Sequence, residues 1–229
     1  FYISENGGFK GIMVKLLMLI GFLGHVICGI TDCMMAYSKS GKFDFSMAKE
    51  PEKMKKVFST MPLKQLEMAM LLGVAALFMA SFGYIGLAEH MEVYSPIASK
   101  VMLFSAMFFL IPIAAHHVLC GATEWYYVKL GRTEETLQVV MDFFKKTVAV
   151  SVAYVGLLIF VITLFILVVT GATDLPRWVC VFNTLTAFIV LSPTKIPAKG
   201  NIANAFMFTG NIGDYARETE SYPGDVDVS

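Results

Sequence analysis

The stretch Val155-Gly-Leu-Leu-Ile-Phe-Val-Ile-Thr-Leu-Phe-Ile-Leu-Val-Val169 decides the fold class. It sits inside a longer run, Thr147 to Thr173, that has no Asp, Glu, Lys or Arg across 27 residues. A hydrocarbon core about 30 Å thick needs ~20 apolar residues at helical rise, so this run crosses a bilayer with some tilt. Met68 to Ala88 is a second uncharged run, and Val101 to Thr123 a third, interrupted by His116 and His117. Leu16 to Tyr37 carries His25 and Asp32 but no other formal charge. Trp178 to Thr194 is a shorter fifth run, with Arg177 and Trp178 placed as interfacial anchors. Asn201 to Gly213 is the sixth, long enough only if Lys199 and Arg217 snorkel. These runs predict an all-α polytopic transmembrane helix bundle of about six spans. The spans fall near 11–37, 65–89, 97–124, 147–171, 176–194 and 199–214, in a single domain with an acidic, flexible tail at 215–229.

Composition agrees with that class. Of 229 residues 56% are apolar and 16% charged, against roughly 45–50% and about 25% in a soluble domain. Eighteen basic residues balance eighteen acidic ones, which excludes a nucleic-acid binder and leaves the lipid bilayer as the expected partner. The first span has a basic flank but is too long for a signal-peptide core and lacks a small-residue cleavage site, so it reads as a retained helix. A chain opening on Phe1 points to a start upstream.

Lys and Arg in the short connections set orientation. The first, third and fifth connections hold thirteen, the opposite side five. That count places the odd-numbered loops in the cytoplasm, both termini outside, and the protein in a membrane such as the bacterial cytoplasmic membrane. Within the loops, Lys39 to Lys64 mixes Lys with Met54, Val57 and Phe58, predicting a short helix on the inner surface. Ser59 or Thr60 ahead of Pro62 reads as a helix start, and Gly131 and Thr133 as the end of one helix and the cap of the next. Leu137, Val140, Met141 and Phe144 recur at helical spacing, so that next helix is expected to run on into the fourth span.

Ionisable groups within spans are costly and face the protein interior, so function is sought there. Gly21, His25, Cys28 and Asp32 form one helical stripe. In the third span His117 and Glu124 share a face, with His116 and Cys120 on the neighbouring one. Asn201, Asn204 and Asn211 make a stripe with Ala205 and Phe208, and must look inward. At helical rise Asp32 lies ~32 Å and His117 ~30 Å from the outer ends of their helices, and Asn204 ~8 Å from its inner end. Asp32, His116, His117, Glu124, Asn201 and Asn204 are therefore expected to converge on a polar pocket near the cytoplasmic face. His25, ~21 Å down, lies higher.

Asp32 and His117 could bind a divalent metal such as zinc, or work without one, the carboxylate orienting His117 as a base. His116 is ~100° away around the helix, so one of the two histidines is expected to point at any given site. A third reading makes Asp32 and a histidine a buried structural pair. Haem is disfavoured, because His25 and His117 differ by ~9 Å in estimated depth. The four cysteines read as small packing residues, with Cys120 alone placed beside the polar cluster. His90, flanked by acids, reads as an exposed loop histidine. Asn183 and Thr186 are expected to bond to a neighbouring helix. Gly73, Ala76, Ala80 and Gly83 form a small-residue stripe for close helix contact, within the chain or in a homo-oligomer.

Three stretches carry a resemblance: Gly29-Ile-Thr-Asp-Cys-Met-Met-Ala-Tyr37, Ala114-Ala-His-His117, and Ser192-Pro-Thr-Lys-Ile-Pro197 followed by Gly200-Asn-Ile-Ala-Asn204. Their order is similar to a bacterial multi-spanning membrane family of unknown function. The resemblance implies six helices and highlights Asp32, His116, His117 and Asn204. A fainter likeness is to alkaline-ceramidase-type intramembrane hydrolases, which implies Asp and His on membrane helices around zinc. The expected function is an enzyme modifying a lipid or amphiphile, with Asp32, His117 and His116 catalytic and Asn201, Asn204 and Glu124 holding substrate. A small-solute transporter or channel-like subunit, or a non-catalytic subunit of a larger complex, is the alternative.

Overall fold

Apolar runs this long form helices because every backbone polar group is then satisfied within its own segment. The computed structural model describes residues 4–220. Its helices are α1 (Ser4–Ala36), α2 (Pro51–Phe58), α3 (Leu63–Met91), α4 (Pro96–Lys129), α5 (Glu134–Thr147), α6 (Tyr154–Val169), α7 (Thr184–Leu191) and α8 (Lys199–Glu220). Two-residue strands β1 (Tyr37–Ser38) and β2 (Gly41–Lys42) pair as a small hairpin. The protein is an all-α bundle.

Among the described residues, four stretches are long and apolar enough to cross a membrane: Gly11–Ala36, Leu63–Met91, Pro96–Lys129 and Glu134–Val169. Their outer faces carry exposed Leu71, Phe78, Phe104, Ile111 and Ile159. An apolar surface of that extent belongs in lipid, which marks the chain as an integral membrane protein. α1 packs between α3 and α8, and α4 between α3 and α6. The segment from Arg177 to Leu191 touches both α6 and α8, so the elements close a ring.

The fifth and sixth places in that ring are filled differently from the first four. Arg177–Phe182 is a 3-10 turn, Asn183 is extended, and only then does α7 begin. Asn183 causes the break: its Oδ1 caps α7 by accepting from Leu185 N (2.9 Å), while Nδ2 donates to the Val161 carbonyl on α6 (2.9 Å). α8 is continuous and is held against α1. The side chain of Asn211 and the tail at 221–229 lie outside the described residues.

The connections follow the sequence with three corrections. α5 runs into α6 through the 3-10 stretch Val148–Ala153, and Thr133 caps α5 by accepting from Thr136 N (3.1 Å). In contrast, Pro62 occupies the N-cap position of α3 and no side chain caps it, while Ser59 and Thr60 bond Ser40 beside the hairpin. α2 is present, but Met54, Val57 and Phe58 are buried against Leu66, Tyr127 and Leu137 instead of facing lipid. His90, read as exposed, is 8% exposed and lies 3.5 Å from Asp174, because the α6–α7 connection folds over the end of α3.

The small-residue stripe of α3 is used inside the chain. A Cβ on Gly21 would stand 2.5 Å from the Gly83 Cα, so α1 and α3 meet nearly backbone to backbone. Two apolar clusters result. One fills the ring around Tyr84, Phe160 and Phe208. The other, around Phe58 and Tyr127, closes the end bearing the hairpin and α2. A polar layer separates them.

Candidate functional site

That layer surrounds a cavity of 410 Å³. All six residues expected to converge line it: Asp32 from α1, His116, His117 and Glu124 from α4, and Asn201 and Asn204 from α8. Phe43 and Asp44, just after the hairpin, border it at the same end of the bundle. Both adjacent histidines reach the cavity, against the expectation that one would, because it is wide enough to span ~100° of α4.

Close helix contact places His117. A Cβ on Gly73 would fall 1.8 Å from the imidazole Nε2, so the ring occupies space that only glycine leaves open on α3. Nε2–H donates to the Ala69 carbonyl (3.2 Å), and Nδ1 faces Asp32 Oδ1 at 3.4 Å. Both nitrogens of His117 are thus directed. His116 is less constrained: it is partly exposed, with Nε2 3.5 Å from Cys120 Sγ and its ring beside Phe144.

Asp32 is oriented from the other side. Asn201 Nδ2 donates to Asp32 Oδ2 (2.8 Å), while Asn201 Oδ1 lies 2.8 Å from His25 Nδ1. An amide oxygen only accepts, so His25 Nδ1 carries the proton, and neutral Nε2 accepts from Tyr84 O–H (3.2 Å). A directed chain therefore runs Tyr84, His25, Asn201, Asp32. Phe208 stacks on His25, and Thr184 donates to Asn204 Oδ1 (3.0 Å), which leaves Asn204 a structural bond as well as a place on the cavity wall.

Asp32 also meets Cys28. Cys28 Sγ, a carboxylate oxygen of Asp32 and a ring nitrogen of His117 lie within 4.8 Å of one another. Glu124 is buried, and its Oε2 has no hydrogen-bond partner. No lysine or arginine is among the lining residues.

A family model described as a family of unknown function (DUF6796) matches residues 7–212. The chain belongs to that family. No curated protein and no solved structure matches it. The matched span of this DUF6796 member contains every residue of the polar layer, so the site falls within the family's shared region.

Sequence reasoning passed over His25, Cys28 and Tyr84 as site residues. His25 and Cys28 were visible on the same stripe as Asp32. Tyr84 sits in an apolar run, and only the position of His25 on α1 reveals a use for its hydroxyl.

A second recess lies on the seam of α1 and α8. It measures 490 Å³ and is lined by Phe22, Val26, Ile30, Ile202, Phe206 and other apolar groups. His25 and Asn201 line this groove and the polar cavity alike.

Proposed function

We propose that the protein is a membrane-embedded enzyme acting on a lipid or other amphiphile. The polar head enters among Asp32, His116 and His117, and the hydrocarbon tail lies in the α1–α8 groove. The shared wall at His25 and Asn201 carries this reading, because it sets a polar cavity directly beside an apolar groove. Pockets that orient small molecules combine apolar walls with a few convergent polar groups, and this pair has that composition.

Roles follow from what each side chain is free to do. His116 is the acid–base group, since both nitrogens of His117 are already directed. Asp32 and His117 form the reactive centre, while Glu124, Asn201 and Asn204 hold the head. The lysine count favours a cavity mouth on the cytoplasmic side, with both termini outside, in a bacterial cytoplasmic membrane. A conduit for small solutes is less supported, because fully buried Tyr84, Phe160 and Phe208 pack the interior of the ring.

The test is lipid turnover in nanodiscs loaded with a mixed lipid extract. Mass spectrometry should find a species converted by the wild type and untouched by Asp32→Asn and His116→Gln. Neither conversion nor retention of any lipid by the folded protein would overturn the reading.

A further inference from the structure

We infer that Cys28, Asp32 and His117 form a mononuclear site for a divalent transition cation of the zinc type, with one coordination position open to the cavity. The spacing is the first argument. Two nitrogen or oxygen ligands on one tetrahedral zinc, at bonds of 2.0–2.1 Å, stand about 3.3 Å apart. His117 Nδ1 and Asp32 Oδ1 are 3.4 Å apart. A charge-assisted hydrogen bond between them would be nearer 2.7–2.9 Å, roughly half an ångström shorter. Cys28 Sγ completes a triangle with no side above 4.8 Å. One turn of α1 separates Cys28 from Asp32, so a single helix presents both.

The support behind each ligand is the second argument. A ligating imidazole donates its other N–H to a carbonyl or carboxylate, which fixes the tautomer and aims the bare nitrogen at the metal. His117 does this through Nε2–H to Ala69 O. With Nε2–H committed to the Ala69 carbonyl, Nδ1 is the ring nitrogen left to face Asp32 Oδ1, the placement that a shared cation requires. Asp32 is held the same way by Asn201 through Oδ2, leaving Oδ1 forward. Asn201 is braced in turn by His25 and Tyr84.

The cavity supplies the third argument, independent of the three ligands. It is acidic, and no lysine or arginine is among its described lining residues. Glu124, nine-tenths buried on its wall, keeps an oxygen without a hydrogen-bond partner, a further acceptor on a cavity already rich in them. Three protein ligands with the fourth position facing open space is the arrangement of a catalytic zinc. Thiolate, imidazole and carboxylate together favour zinc over calcium or magnesium.

The inference stands without the amphiphile reading and is tested separately. Wild-type protein in detergent, supplied with zinc and desalted, should retain about one zinc per chain by elemental analysis. Cys28→Ser, Asp32→Asn and His117→Gln should each lower that at least tenfold, while Cys180→Ser should not. Cobalt in place of zinc should give a thiolate-to-metal charge-transfer band that Cys28→Ser removes. Added zinc should raise the unfolding temperature of the wild type and not of folded Asp32→Asn. Folded wild type that retains no zinc, or zinc retained equally by all three variants, would overturn the site. Lipid conversion that persists in metal-free protein would overturn a catalytic role for the metal and leave the amphiphile reading intact.

Discussion

Gly73 and His117 occupy one volume between α3 and α4: the imidazole stands where a Cβ at position 73 would be, 1.8 Å from that point. The ring therefore owes its position to the absence of a side chain on the facing helix. Gly73→Ala should displace the ring and cost about 1–3 kcal/mol through overpacking. The same change made in a His117→Ala background should cost far less, because the clashing ring is gone. Thermal unfolding of the two single variants and the double variant gives the coupling directly. Additive costs would mean that the contact is not made.

Asn201 ties the directed chain to the carboxylate, touching His25 on one side and Asp32 on the other. Asn201→Ala should cost about 1–3 kcal/mol, because it strands buried His25 and removes a donor from half-buried Asp32. Asn201→Asp should be worse than Asn201→Ala, since it sets a second carboxylate against Asp32. Unfolding temperatures in one detergent would rank the three proteins.

Glu124 runs the other way. A buried acceptor without a partner works against folding, and Glu124→Leu should stabilise the protein by about 1 kcal/mol. The same variant should lose lipid turnover if the carboxylate is held for a ligand, since sites of function trade stability for activity. A destabilised variant would show that Glu124 is part of the scaffold.

Ile202 is 41% exposed and lines the groove without touching the polar layer. Ile202→Trp should fill the groove and select against long chains. Native mass spectrometry should show loss of long-chain amphiphiles and retention of short-chain ones. Equal loss of both would place the tail elsewhere.

The bundle and its polar layer differ in how they are written in the sequence. Charge-free runs such as Thr147 to Thr173 declare helices because a bilayer tolerates little else, and Asp32 and His117 declare an interior because lipid does not tolerate them. The depth count then brought α1, α4 and α8 to one level. What could not be read depends on partners distant in the chain. The break at Asn183 has no proline or glycine to announce it; the amide chooses the Val161 carbonyl, 22 residues earlier, and gives up the helix. His90 is buried because Asp174 comes to it from the far end of α6. Cys28 looked like packing because its neighbourhood with His117 forms only when α3 and α4 close behind the ring.

An amphiphile seated as proposed in the groove between α1 and α8 would reach Asn201 by drifting within its leaflet. Its supply is then governed by mole fraction among the surrounding lipids. Adding more bilayer, with the total amount of that molecule held constant, would starve the site, whereas diluting the surrounding water would change nothing.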